Sequence, residues 1–172
     1  AAATLAAVLV LSRQPPDPVH APIAEDDVPL QHVHGLGVNP ADGAVYVATH
    51  SGLFVLGTDG GARRVGASYQ DVMGFTVAGP DRFLASGHPD VPGLQRGDPG
   101  HLGLIESDDR GVSWSPLSLR GTADFHALAA AGGKAYGVNA RDGRFMSTSD
   151  LATWETGASL AATSIAVDPH AA

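Results

Sequence analysis

The stretch SDDRGVSW, Ser107 to Trp114, reads as a tight turn with an anchor. Asp109 is placed to accept backbone N–H groups inside the turn, and Gly111 supplies a backbone conformation that other residues resist. Trp114 then has too large a ring to leave in water, so the turn must lie against a neighbouring structural unit. A second stretch, STSDLATW from Ser147 to Trp154, reads as a degraded copy, with Ser149 where the Asp should be and Leu151 where the Gly should be. GTDGGARRV, residues 57–65, reads as a third and more eroded copy. On this reading Ser107, Asp109, Gly111, Trp114, Ser147 and Trp154 are structural residues. Asp108 and Asp109 serve the turn and not a calcium ion.

The turns belong to a larger repeat. Four stretches align ahead of small-apolar runs: HVHGLGV (32–38), DVMGFTV (71–77), DFHALAA (124–130) and ATSIAVD (162–168). Their spacing, with His34, Met73, His126 and Thr163 or Ser164 as equivalent positions, is roughly 40 to 50 residues, the period of a β-propeller blade. Second strands follow at AVYVATH (44–50), RFLASGH (82–88) and KAYGVNA (134–140), and third strands at GLFVL (52–56), LGLIES (102–107) and GRFMST (143–148). Turn formers (NPADG, AGPD and AAGG) separate the first two strands of each unit. The expected fold is all-β: four-stranded antiparallel blades at about 31–68, 69–121 and 122–160, and the start of another at 161–172.

Composition agrees with many short strands. The chain of 172 residues holds 22 glycines and 12 prolines, and only 6% of its residues are aromatic. A net charge of −8 with one lysine, Lys134, leaves no basic stripe for phosphates and argues against nucleic acid. There is no cysteine, hence no disulfide. AAATLAAVLVLS, residues 1–12, is an uncharged apolar run too short to span a bilayer but suited to a truncated signal or anchor. Residues 13–30, rich in Pro and acid, read as a disordered linker. An extracellular or cell-surface location follows, with contact to a membrane only through that anchor.

HVHGLGVNPADGAVYVATHSGLF, MGF, ASGHPD, GLIESDDRGVSW and FHAL resemble the Asp-box (BNR-repeat) β-propellers of the sialidase and sortilin-like superfamily. Within it they are similar to a bacterial secreted family loosely described as glycosyl hydrolases or exo-α-sialidases. The resemblance covers about residues 30–168 and implies an N-terminal portion of a six- or seven-bladed propeller, since closure takes four to eight blades.

The resemblance also implies that first strands line a central channel, their starts sharing one face with the ends of second strands. His32, His34, Asp71, Met73, Asp124 and His126 stand at first-strand starts, and His50 and His88 at second-strand ends. All eight should gather at one channel mouth. Alternation puts both members of His32/His34, Asp71/Met73 and Asp124/His126 on one side of a strand. His34, His50, His88, His126, Asp71 and Asp124 are the expected metal ligands, because imidazole and carboxylate together suit a divalent transition ion. Zinc and copper both fit, and the Met73 thioether tilts the choice to copper. A histidine at a strand end also caps turn N–H groups with no ligand involved. The loop HPDVPGLQRGDPGH (88–101) should rim the mouth, which makes Asp90 a binding candidate beside His32, Met73 and Arg141. His101 closes that loop without a role of its own, and His20 and His170 lie in tails.

Two other functions follow from the resemblance. One is glycoside hydrolysis, for which sialidases use three arginines, a Tyr–Glu pair and an acid/base Asp. Only Arg141 is placed to face the mouth here, and Tyr69 near Asp71 has no Glu to pair with. No catalytic residue is therefore assigned. The other is a non-catalytic scaffold that takes a small ligand, glycan, peptide or protein, as sortilin and a photosystem assembly factor do.

Overall fold

The computed structural model describes residues 30 and 32–168. The apolar run 1–12 and, but for Leu30, the linker 13–30 lie outside the described residues. The first sheet runs β1 (Val33–Val38), β2 (Val45–Thr49), β3 (Gly52–Leu56) and β4 (Ala62–Arg64). The second runs β5 (Asp71–Gly79), β6 (Arg82–His88), then helix α1 (Val91–Gln95), β7 (Leu104–Ser107) and β8 (Ser115–Ser118). The third runs β9 (Phe125–Ala131), β10 (Lys134–Asn139), β11 (Arg144–Thr148) and β12 (Glu155–Ser159). Each is a four-stranded antiparallel meander in sequence order, and together they are three blades of a β-propeller.

The blades stack through two apolar seams. Tyr46, Ala48 and Leu53 of the first blade meet Val72, Phe75, Phe83, Ala85 and Ile105 of the second. Leu84 and Leu104 of the second meet Ala123, Phe125, Leu128 and Ala135 of the third. Strand β6 explains its own sequence here. Successive side chains of a strand point to opposite faces, so Phe83 and Ala85 fill one seam while Leu84 fills the other. A strand covered on both faces needs an unbroken apolar run, and Phe83-Leu84-Ala85 provides it. Inner strands approach closely: a Cβ on Gly35 would touch the Phe75 side chain at 3.3 Å, and one on Gly74 would run into the Phe125 carbonyl.

The turn from Ser107 to Trp114 is built as its residues dictate. Ser107 Oγ donates to Asp109 Oδ1 at 2.7 Å and accepts the Gly111 N–H at 2.7 Å. Asp109 also accepts the Ser113 N–H at 2.9 Å and the Ser113 hydroxyl at 2.6 Å. Burial opposes ionisation of Asp109, but these hydrogen bonds prevail and hold its carboxyl below the usual range. Gly111 has φ +88 and Trp114 packs into the first seam.

The second copy corrects the expected register. Ser147 is not its hydroxyl. Thr148 Oγ1 donates to Asp150 Oδ1 at 3.0 Å, and Asp150 accepts the N–H groups of Ala152 and Thr153 at 2.9 and 2.7 Å. The turn is one residue shorter than the first, so alignment on the tryptophans shifts every partner by one. In both turns the residue after the Asp takes a left-handed conformation, Arg110 at φ +65 and Leu151 at φ +60. Trp154 stacks on Phe125 at 4.8 Å and donates its indole N–H to Ser118 Oγ at 2.9 Å, which locks the second seam. In the first blade Asp59 accepts the Gly61 N–H at 3.0 Å within a simple turn. Residues 162–168, aligned above with first strands, make no ladder, and Thr163 to Val167 line a groove together with residues of β1, β5 and β9.

The corrected register predicts that Asp150→Ala lowers the thermal midpoint and Ser147→Ala leaves it unchanged. Backbone N–H groups from Thr153 and Ala152 pull the Asp150 carboxyl down to about 2. A depressed folded-state value contributes stability above about 4, where the unfolded carboxyl is also ionised, and loses it as pH falls from there to about 2. Melting curves from pH 5 to 2 should therefore be shallower in the Asp150→Ala variant.

Candidate functional site

Each inner strand carries an irregularity at the same place. Val33 pairs with Thr49 and Gly35 with Ala48, which leaves His34 as an extra residue. Val72 pairs with Gly87 and Gly74 with Ser86, leaving Met73. Phe125 pairs with Asn139 and Ala127 with Val138, leaving His126. Such bulges re-aim side chains and recur beside functional sites. They also set an equivalence between blades. His32, Asp71 and Asp124 stand two residues before each bulge residue, and His50, His88 and Ala140 lie at or one residue past the end of each second strand. Seven of these nine positions are His or Asp, and Met73 and Ala140 are the exceptions.

The side chains meet in one continuous array. His50 Nδ1 lies 2.8 Å from Asp71 Oδ1, and His88 Nδ1 lies 3.1 Å from Asp71 Oδ2. His88 Nε2 lies 3.2 Å and His126 Nε2 3.1 Å from Asp124 Oδ2. The His34 ring meets His50 edge-on with centroids 4.3 Å apart, and His32 tilts onto His50 at 5.1 Å. His34, His50 and Asp71 offer three donor atoms within 4.8 Å of one another, and so do His88, Asp124 and His126.

Backbone anchoring explains why these groups converge. Asp124 is only 5% exposed. Its N–H donates to Asn139 Oδ1 at 3.0 Å, and its carbonyl accepts the Ala140 N–H at 2.7 Å. The next N–H, of Phe125, crosses the seam to Ser86 Oγ at 3.0 Å. Gly87, at φ +146, passes so close to the Asp71 carbonyl that any Cβ would collide with it. That approach seats His88 against Asp71.

Protonation is divided within the array. Burial lowers the pKa of His34, helped by its neighbour His50, and favours the neutral ring with a free lone pair. For His88 burial also lowers the value, but hydrogen bonds and charge from Asp71 and Asp124 outweigh it and the net shift is upward. The His88 ring lies between two carboxylates, one of them buried. Three buried polar atoms of the array make no hydrogen bond: His34 Nε2, His101 Nδ1 and Asp124 Oδ1.

The remaining candidates lie at the margins. Asp90 caps α1 by accepting the Gly93 N–H at 2.8 Å and also accepts the Tyr69 N–H at 3.1 Å. It lines an adjoining cleft of about 400 Å³ together with His50 and Asp71. Arg141 donates to the Thr122 carbonyl at 2.8 Å, and so clamps a turn. Met73 takes the bulge position of the second blade. His101, unassigned from sequence, comes within 3.5 Å of Asp124 Oδ2. Arg64 was also not singled out. It is 5% exposed, and its guanidinium lies over the rings of Phe54 at 4.7 Å and Tyr69 at 3.9 Å. Asp71 and Asp124 have His88 between them, within hydrogen-bond distance of both.

No family model matches the chain, and no curated protein matches it. Among solved structures it is similar to one described as YCF48 bound to D1 peptide. Identity is 12%, the TM-score is 0.37, and the match covers 80% of this chain. The chain spans 57% of the length of that protein.

Gly87→Ala should break the seat of His88. The added methyl group meets the Asp71 carbonyl and lies 3.0 Å from the Met73 nitrogen, which predicts a loss of roughly 1–3 kcal/mol in chemical denaturation. Gly79→Ala, in the same sheet with nothing within 4 Å, is the neutral control. Equal losses in the two variants would contradict the close-approach account.

Proposed function

We propose that this chain is the propeller portion of an exported protein that binds a divalent transition-metal ion at the channel mouth. His34, His50, His88 and His126 act as ligands with Asp71 and Asp124. The observation that carries this reading is the unsatisfied state of the array. A buried carboxylate oxygen and two buried ring nitrogens without hydrogen-bond partners are costly alone, and a cation supplies the missing partner. Neutral imidazole and carboxylate donors suit zinc and copper(II). The apolar run at residues 1–12 supports export.

A second reading has an observation of its own. Tyr69, Val91 and Leu94 are 49%, 67% and 54% exposed and stand together around the cleft beside His50 and Asp71. Apolar and polar groups lining one cleft suit a small ligand or a peptide side chain. This reading makes the chain a binding scaffold, with or without the ion.

Metal content measured by mass spectrometry tests the first reading. The untagged protein is loaded with zinc or copper(II) and dialysed. It should retain near-stoichiometric metal, and Asp124→Asn should lose at least about tenfold in affinity. Metal-free protein after loading with either ion would overturn the reading and leave the scaffold.

A further inference from the structure

The two halves of the array differ in how many donors surround them. On the side of the second and third blades, His88, Asp124 and His126 already lie within 4.8 Å of one another. His101 stands beside them, outside that set of mutually close donors as His32 is on the other side, but unlike the exposed His32 it is half-buried. Its Nδ1 is buried, makes no hydrogen bond and lies 3.5 Å from Asp124 Oδ2, and its ring lies 5.5 Å from that of His88. The backbone holds it there: its carbonyl accepts the Gly121 N–H at 2.8 Å, and the following Leu102 N–H donates to Gly87 at 2.9 Å. Further back the loop is tied by Asp98, which pairs with Arg120.

On the side of the first and second blades the donors are three, His34, His50 and Asp71. His32 touches His50 but lies outside that set. His50 and Asp71 face the cleft of about 400 Å³. Four protein ligands close a metal site, whereas three leave a position for water or an added ligand.

We infer that the chain holds two unlike metal sites: a closed one of His88, His101, Asp124 and His126, and an open one of His34, His50 and Asp71 whose free position faces the cleft and takes a small anionic or neutral donor. This rests on the metal reading above. The sites are joined by His88. With Nε2 on the closed-site ion, Nδ1–H is the donor to Asp71 and orients that carboxylate for the open site, the arrangement in which a metal-bound histidine steadies a second carboxylate. The closed site therefore fills first.

Cobalt(II) titration of the untagged chain, followed by visible absorption and metal counting, separates the possibilities. Wild type should bind two ions in two steps, the first with the stronger absorption of a four-coordinate site. His101→Ala and His101→Gln should each weaken the first step by about 100-fold or more. His34→Ala should abolish the second step and spare the first. Azide should shift the absorption of the second step and leave the first unchanged, with circular dichroism confirming that each variant is folded. A single step of one ion, insensitive to His101→Ala, would overturn the two-site inference and leave metal binding intact. No bound cobalt in any form would overturn both.

Discussion

One imidazole between two carboxylates governs the His/Asp array. Asp71 belongs to the second blade and Asp124 to the third, and His88 bridges them at 3.1 and 3.2 Å. Asp124 is nearly buried, so its charge needs a compensating group close by. His88 reaches it because Gly87 lets β6 pass against the Asp71 carbonyl, and because Ser86 ties β6 to the start of β9. Those three consecutive residues set strand pairing, blade-to-blade contact and site geometry together. A shift of either seam would pull the array apart.

The same coupling explains why a rigid scaffold matters here. The double-sided core of β6 fixes the distance between blades, and each inner-strand bulge turns one side chain at a constant height. The array is thus a product of repetition. Equivalent positions in successive blades bring His and Asp to one ring without any long insertion except the loop that carries His101. That loop is also the part of the second blade that builds a wall of the cleft, so ligand access and the fourth donor are linked in sequence.

Much of this was legible in the residues. The repeat period, the alternating apolar strands and the turn around Asp109 point to blades because each follows from short-range geometry. The convergence of His34, His50, Asp71, His88, Asp124 and His126 was legible as shared strand ends. Pairings across blades were not, since which oxygen of Asp71 meets which histidine depends on seam packing. The second turn misled because Ser147 and Thr148 are both hydroxyl residues, and only the hydrogen bonds distinguish a one-residue deletion from two substitutions. Arg141 was placed at the mouth by its strand position, yet its long side chain reaches the Thr122 carbonyl. His101 was opaque because the path of its loop is set by contacts of Gly121 and Gly87, distant in sequence.

X-ray absorption of the zinc-loaded chain tests the central claim most directly, because it reports ligand type. Multiple histidines on the ion give imidazole scattering beyond a first shell of nitrogen and oxygen at about 2.0–2.1 Å. That spectrum, diminished in a His88→Ala variant, is the result expected of the array described above. A shell of oxygen alone, with no imidazole scattering, would mean that zinc sits on surface carboxylates and that the histidines of the channel mouth serve another purpose.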